Sequence, residues 1–449
     1  MNIETDGSLR STEKIPLISV RDLRGDDQKR KLEVAEEIGQ AARNFGFFRI
    51  CDHGIDLDLI EATYEAGRRF FAQRDAQKLD YYIGKSSNHR GYVPFTEKGD
   101  YADEVNRSYE AFDLGLDLPA DDPDYLAGNR LLGPNVWPDV PGFQETVSQY
   151  YNEISALGRI ICGALEMHLK LAPGTMTQHM TKPISQLRLL HYVRQPHIKD
   201  HQSVNMGAHT DYECLTLLHT RNQGLQVLRK DDTWIDIPVD PAALVVNIGD
   251  MLEAWSNGLL LSTPHRVLNL SPERFSLPYF VAANYNTIIQ PFDGLTNEER
   301  PELYQPFMAG AHLERMLMRD FPYLRRLKTS RGAAQVNPIH NPFEQRLNKK
   351  KSQEMPPIET ILAVALAGFA LSATPGPSML YVLSRSMGQN RYAGLASALG
   401  LSLGGSVLGA FYWLWPQHLA LLRYLNAMSG LWSHCATQDQ PISFGWGRG

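Results

Sequence analysis

The sequence predicts an α+β protein, with helices on both sides of a block of short strands whose spacing suits an antiparallel sandwich or jelly roll, then an apolar helical tail. Three observations carry this. Apolar residues recur at helical spacing in three long stretches up to Leu171. Beyond Pro183 the texture changes to short β-prone runs separated by Gly, Asn, Asp or Pro. From Ser352 onward only seven charged side chains remain: Glu354, Glu359, Arg385, Arg391, Arg423, Asp439 and Arg448.

In chain order, Ile15-Pro16-Leu17-Ile18 followed by Ser19 reads as a short strand. Gln28 to Phe45 places Leu32, Ala35, Ile38, Ala41 and Ala42 on one helical face and stops at Gly46. Phe47 to Ile50 reads as a strand, and Leu57 to Phe71 as a second amphipathic helix. Tyr150 to Leu171 gives a third, with Ile154, Leu157, Ile160, Ile161 and Leu165 as its apolar stripe. The strand-prone runs are Gln186–Val193, Cys214–Leu218, Leu225–Leu228, Trp234–Ile237, Ala243–Ile248, His265–Leu268 and Ser276–Ala282. The expected divisions are a helix-rich part (1–130), connecting helices (131–180), a β-rich part (181–290), a helical extension and linker (291–350) and the tail (351–449). Asn348-Lys349-Lys350-Lys351 and Pro356-Pro357 mark the last linker.

In the tail, Ala393 to Trp415 is 23 residues without a charge, long enough to cross a bilayer, and Gly400, Gly404, Gly405 and Gly409 suit close helix packing. Thr360 to Ala373 is a shorter apolar run of 14 residues. A membrane association through residues 357–432 is one reading; a buried hairpin is the other.

The charge balance, 44 basic against 50 acidic side chains for a net of −6, offers no field for nucleic acid. Cys51, Cys162, Cys214 and Cys435 are far apart and form neither a CxxC pair nor a disulfide framework, which suits a reducing compartment. Met1 to Glu13 lacks the basic and apolar regions of a secretory signal, so the expected place of the main body is the cytoplasm.

Chemistry concentrates in the β-rich part. In Gly207-Ala208-His209-Thr210-Asp211 an imidazole and a carboxylate stand two residues apart, which on extended backbone sends both to one face. His312-Leu313-Glu314 has the same spacing but lies in a helical pattern, where i and i+2 diverge by about 200°. His265, in Ser262-Thr263-Pro264-His265-Arg266-Val267, opens a strand 54 positions after Asp211. Two histidines and a carboxylate suit a facial triad that leaves three positions open on an octahedral ferrous ion. Arg274-Phe275-Ser276 puts a guanidinium and a hydroxyl on one strand face, a clamp for an acidic co-substrate such as a 2-oxo acid.

Together with Leu244-Val245-Val246-Asn247-Ile248-Gly249-Asp250 and Ser256-Asn257-Gly258, these motifs resemble, in order and spacing, the isopenicillin N synthase-like family of Fe(II)- and 2-oxoglutarate-dependent dioxygenases. The resemblance covers about residues 14 to 340, including Gly46-Phe47-Phe48 and Asp52-His53-Gly54-Ile55. It implies a double-stranded β-helix core, iron held by His209, Asp211 and His265, and 2-oxoglutarate held through its distal carboxylate by Arg274 and Ser276. It also implies that Tyr192 hydrogen-bonds the co-substrate, although Leu190 stands where the family often has Asn and Val193-Arg194 replaces two prolines. Arg188, on the same strand, is a candidate to meet an acidic substrate; a surface position is its competing reading.

The implied reaction consumes O2 and 2-oxoglutarate, releases succinate and CO2 and oxidises a small-molecule substrate, by default through hydroxylation. Desaturation, ring closure and ethylene formation are family variants. The tail has a second resemblance: Thr374-Pro375-Gly376-Pro377 and Arg391-Tyr392-Ala393-Gly394-Leu395 are similar to the start of the lysine-exporter type of amino-acid translocator. Three functional readings follow: the 2-oxoglutarate-dependent oxygenase, favoured by motif completeness; an oxidase of the same fold whose own substrate carboxylate occupies Arg274 and Ser276; and a transport or anchoring protein carrying an inactive oxygenase part.

Overall fold

Capping chemistry and close approaches set the element boundaries. In the computed structural model, residues 15–95, 109–193, 204–325 and 341–344 are described. Strand β1 (Leu17–Ser19) precedes helix α1 (Gln28–Asn44), which starts where the Asp27 carboxylate accepts the backbone N–H groups of Lys29 and Arg30. It ends at Gly46, whose φ of 68° no β-carbon would tolerate beside the Leu261 carbonyl. Strand β2 (Phe47–Cys51) follows, then α2 (Leu57–Phe71), capped by Asp56, and the short α3 (Asp75–Lys78). Strands β3 (Gly91–Val93) and β4 (Tyr109–Gly115) lead to the short α4 (Pro123–Leu126) and the long α5 (Phe143–His168).

The β-rich part contains β5 (Gln186–Val193), β6 (Val204–His209), β7 (Leu215–Thr220), β8 (Leu225–Leu228), β9 (Trp234–Asp236) and β10 (Leu244–Ile248). The short α6 (Asp250–Trp255) is followed by β11 (His265–Leu268) and β12 (Glu273–Val281). A small ribbon, β13 (Ile288–Ile289) with β14 (Phe307–Met308), precedes α7 (Ala309–Asp320).

Two sheets make a jelly roll. The larger runs β1-β2-β10-β7-β12-β5-β4-β3, with β1 and β2 parallel and the remaining pairs antiparallel. The smaller runs β6-β11-β8-β9. The predicted N-terminal part therefore supplies strands at both edges of the main sheet, not helices alone. Along β5 and β12 the side chains alternate: Tyr279 packs its ring against Tyr151 of α5 at 5.2 Å, while even-numbered residues face the second sheet. Gly158 lets α5 approach β12, since a β-carbon there would come within 2.7 Å of Val281.

Two sequence expectations shift. Leu32 is 55% exposed, because it lies six residues before buried Ile38, about 120° around the helix from it at roughly 100° per residue. Helix α5 begins at Phe143, ahead of the expected Tyr150.

The chain divides into two compact units, Met1–Leu347 and Asn348–Gly449. The expected apolar transmembrane segment, the membrane association through 357–432 and the exporter-like motifs lie outside the described residues. Among the described residues no helix is long and apolar enough to cross a membrane.

Candidate active site

Strands β6 and β11 pair antiparallel with His209 directly opposite His265, and their rings lie 4.4 Å apart. Strand β6 ends at His209, so Asp211 sits in the turn before β7 and not on the extended strand that the two-residue spacing suggested. The turn still brings it round: Asp211 Oδ1 is 3.6 Å from Nε2 of His209 and 3.6 Å from Nε2 of His265. One ligand atom from each of the three lies within 4.8 Å of the others, and all three residues are buried.

The remaining polar atoms of this group are already engaged. His209 Nδ1 donates to the Gly207 carbonyl at 2.7 Å, and His265 Nδ1 to that of Thr263 at 3.3 Å, which turns both Nε2 atoms toward Asp211 Oδ1. Asp211 Oδ2 accepts from Thr216 Oγ1 at 2.5 Å and from Asn247 Nδ2 at 2.7 Å, which leaves Oδ1. Burial, aided by the neighbouring His265 ring, lowers the His209 imidazole to about 4 and keeps it neutral. Burial works against the Asp211 carboxylate, but the His265 and His209 rings and its two side-chain hydrogen bonds outweigh it and hold the group below its ordinary value. This donor set is what a divalent first-row cation takes: two neutral imidazole nitrogens and one carboxylate oxygen, each oriented from behind.

A second layer fixes the turn. Thr210 Oγ1 donates to Asp250 Oδ2 at 3.3 Å and accepts from Asn341 Nδ2 at 3.0 Å, while Asn341 also reaches Asp250 at 2.8 Å. Ser262 Oγ donates to the other Asp250 oxygen at 2.7 Å.

The triad opens on a cavity between the two sheets. At one end is Arg274, 3% exposed, opposite Tyr192 in the β5–β12 register and 4.8 Å from the centre of its ring. Its Nη1 donates to Ser276 Oγ at 3.2 Å and its Nη2 to Thr220 Oγ1 at 3.1 Å. The Nε atom is buried without a hydrogen-bond partner, and among the described residues no carboxylate pairs with this guanidinium. A buried cation left in this state fits an anionic guest.

The other end lies four residues along β5, roughly 13 Å at about 3.3 Å per residue. Arg188 faces the cavity there, but Asp113 holds its Nε at 2.7 Å and its Nη2 at 2.8 Å, and Phe321 and Phe280 stand beside it. Glu213 also lines this end; burial and then the Asp211 charge push its carboxyl up to about 8. From α7, Asp320 accepts from Tyr212 at 2.7 Å and pairs with Arg319 at 3.3 Å.

All the residues singled out in the sequence, His209, Asp211, His265, Arg274, Ser276, Tyr192 and Arg188, border this one cavity. His312 does not: it is buried on α7 beside Phe307. Sequence reasoning missed the roles of Thr216 and Asn247, which hold Asp211 in its turn, and of Thr220, which reaches Arg274 across the β7–β12 pair. It also missed Glu213, although that residue stands only two places from Asp211.

Residues 15–140 match the family model described as the non-haem dioxygenase in morphine synthesis N-terminal, and residues 184–283 the one described as the 2OG-Fe(II) oxygenase superfamily. The chain is 30% identical over 280 residues to the 2-oxoglutarate-dependent dioxygenase tropC of Talaromyces stipitatus, spanning 60% of this chain and 85% of that protein. A crystal structure of a 2OG-Fe(II) oxygenase family protein from Caulobacter crescentus superposes with a TM-score of 0.61 at 31% identity, over 68% of this chain and 99% of the other. A full-length Neurospora crassa protein, solved in complex with alpha-KG, gives 0.59 at 26% identity, over 68% and 96%.

Proposed function

The chain belongs to the 2OG-Fe(II) oxygenase superfamily, whose members use Fe(II), 2-oxoglutarate and O2, and from that premise we propose that it hydroxylates a small organic molecule. In this reading His209, Asp211 and His265 hold the iron, and Arg274, Ser276 and Tyr192 hold 2-oxoglutarate. The observation that carries it is the pair of 3.6 Å approaches to Asp211 Oδ1, in a cavity whose far wall holds a buried, carboxylate-free Arg274.

When bound, Fe(II) and 2-oxoglutarate supply the activation of O2 and the oxidation of a C–H bond, with succinate and CO2 as products. The protein's part is to bind, orient and exclude. His209, Asp211 and His265 would hold the ion from one side, with the cavity on the other. Arg274 offers a planar fork to a distal carboxylate, and the Ser276 hydroxyl adds a third contact. The Tyr192 ring below the guanidinium holds its plane. Leu190, Leu218, Leu225 and Val267 make the space between triad and fork apolar, which strengthens both the ionic and the metal contacts by keeping water out. The substrate lies toward Arg188, Phe280 and Phe321, on the side away from the fork.

The test is anaerobic addition of Fe(II) and 2-oxoglutarate to the purified protein, watching for the visible charge-transfer absorption of a chelated 2-oxo acid. We expect a band in the native protein and none in Arg274→Ala at the same 2-oxoglutarate concentration, with iron retained. A band that survives in Arg274→Ala would remove that residue from the site. Turnover in air without 2-oxoglutarate would point instead to the oxidase reading.

A further inference from the structure

Among the described residues, Glu213 is a buried carboxyl at the Arg188 end of the cavity with neither a paired cation nor a side-chain donor. By contrast, another buried glutamate, Glu110, meets the side chains of Lys78, Tyr92 and His191. Glu213 is 4% exposed and lines the cavity, yet among the described residues no side chain donates a hydrogen bond to it or forms an ion pair with it. Its carboxyl receives only backbone N–H groups of its own turn, those of Tyr212 and Glu213. The cations nearby are committed: Arg188 is held through two nitrogens by Asp113, and Arg319 serves Asp320 and both oxygens of Glu344. A purely structural buried acid is normally paired with a cation or a side-chain donor, because burying a charge without a countercharge costs stability.

We propose that Glu213 anchors the substrate and that this substrate carries a cationic nitrogen, an ammonium or guanidinium, joined to a small apolar part. The cation supplies the missing countercharge and the apolar part lies against Phe280, Phe321 and Leu317. The geometry sets the cationic group close to the triad and on the side away from Arg274, so substrate and 2-oxoglutarate meet opposite charges at opposite ends. The inference rests on the reading of this cavity as the oxygenase site.

The test uses the full chain with Fe(II) and 2-oxoglutarate under anaerobic conditions, titrated with butylguanidine, the isosteric neutral butylurea and pentanoate. Binding is read from the perturbation of the visible band and from calorimetry. We expect butylguanidine to bind native protein about tenfold or more tightly than either of the others, the scale of one charged hydrogen bond. Glu213→Gln should equalise guanidine and urea, whereas Glu213→Asp should keep the preference. Equal or weaker binding of butylguanidine by the native protein, or no binding of any probe, overturns the proposal whatever the variants do, as does a preference that persists in Glu213→Gln. A native protein that shows no band before any probe is added overturns the underlying reading as well, so the two failures are told apart.

Discussion

Asp211 is held at one oxygen of its carboxylate and presents the other, and that division decides what the residue can do. Thr216 and Asn247 occupy Oδ2, so Oδ1 alone faces His209 and His265. Asn247→Ala should weaken Fe(II) binding by about 10- to 100-fold, measured by equilibrium metal titration, because the freed carboxylate rotates. The triad itself was legible because its residue types and spacing form a pattern. Its supports were not, since Asn247 lies 36 positions from Asp211 and reaches it only through the pairing of β10 with β7. Glu213 gave no signal either, because one glutamate beside a motif looks like any surface acid until its burial is known. His89 carries a separate prediction. Burial holds its imidazole down to about 3; the charges of Arg188 and Arg90 add to this and Asp113 opposes it. An unfolded chain binds that proton near pH 6.5, so between about pH 3 and pH 6.5 the unfolded state is the more protonated. Stability should therefore be complete above about pH 6.5 and fall as the pH drops through that window. His89→Asn should flatten the acid side of a plot of urea midpoint against pH; an unchanged slope would assign the acid sensitivity to other groups.

Elements were legible where apolar residues recur in a pattern and obscured where buried charges interrupt it. Strand β5 has its expected limits, as do β8, β11 and α2. Strand β4 was missed because Glu110 and Asp113 interrupt its apolar run, Tyr109–Gly115; both are buried and are neutralised by Lys78 and Arg188 instead of by water. Strand β6 was missed because Val204-Asn205-Met206-Gly207-Ala208-His209 has low intrinsic strand preference and is held by pairing with β11. Strand β12 begins at Glu273, three residues before the expected Ser276, which puts Arg274 inside the ladder opposite Tyr192. Packing between elements gives two further expectations. Gly158→Leu should force α5 away from β12 and cost about 1–3 kcal/mol in urea unfolding, without altering the site. Asn341→Ala removes the bonds to Thr210 and Asp250 and should cost a similar amount, about 1–3 kcal/mol, while also lowering Fe(II) affinity; a stability loss with unchanged metal binding would show that the segment braces the fold alone.

At the scale of the whole molecule, the break near residue 351 was visible in composition, and the two-sheet core in the rhythm of turns and strands. What composition could not reveal is that N-terminal strands flank the main sheet at both edges, because strand order is a matter of long-range pairing. Ligands that bind only the folded core should raise its melting temperature, with about 2.7 kcal/mol gained at a hundredfold excess over Kd. Fe(II) and then 2-oxoglutarate should act in two increments, and Arg274→Ala should lose the second only. The alternation along β5 and β12 has a consequence for descent. The same two strands present Tyr192, Arg274 and Ser276 at one end and Gln186, Arg188, Pro278 and Phe280 at the other, all on one face. Each strand thus works as a ruler with two separately editable ends. A lineage can exchange what is oxidised at one end while the other keeps intact the machinery that does the oxidising. A one-residue slip of either strand would scramble both ends at once, so such diversification proceeds by substitution and hardly ever by insertion within these strands.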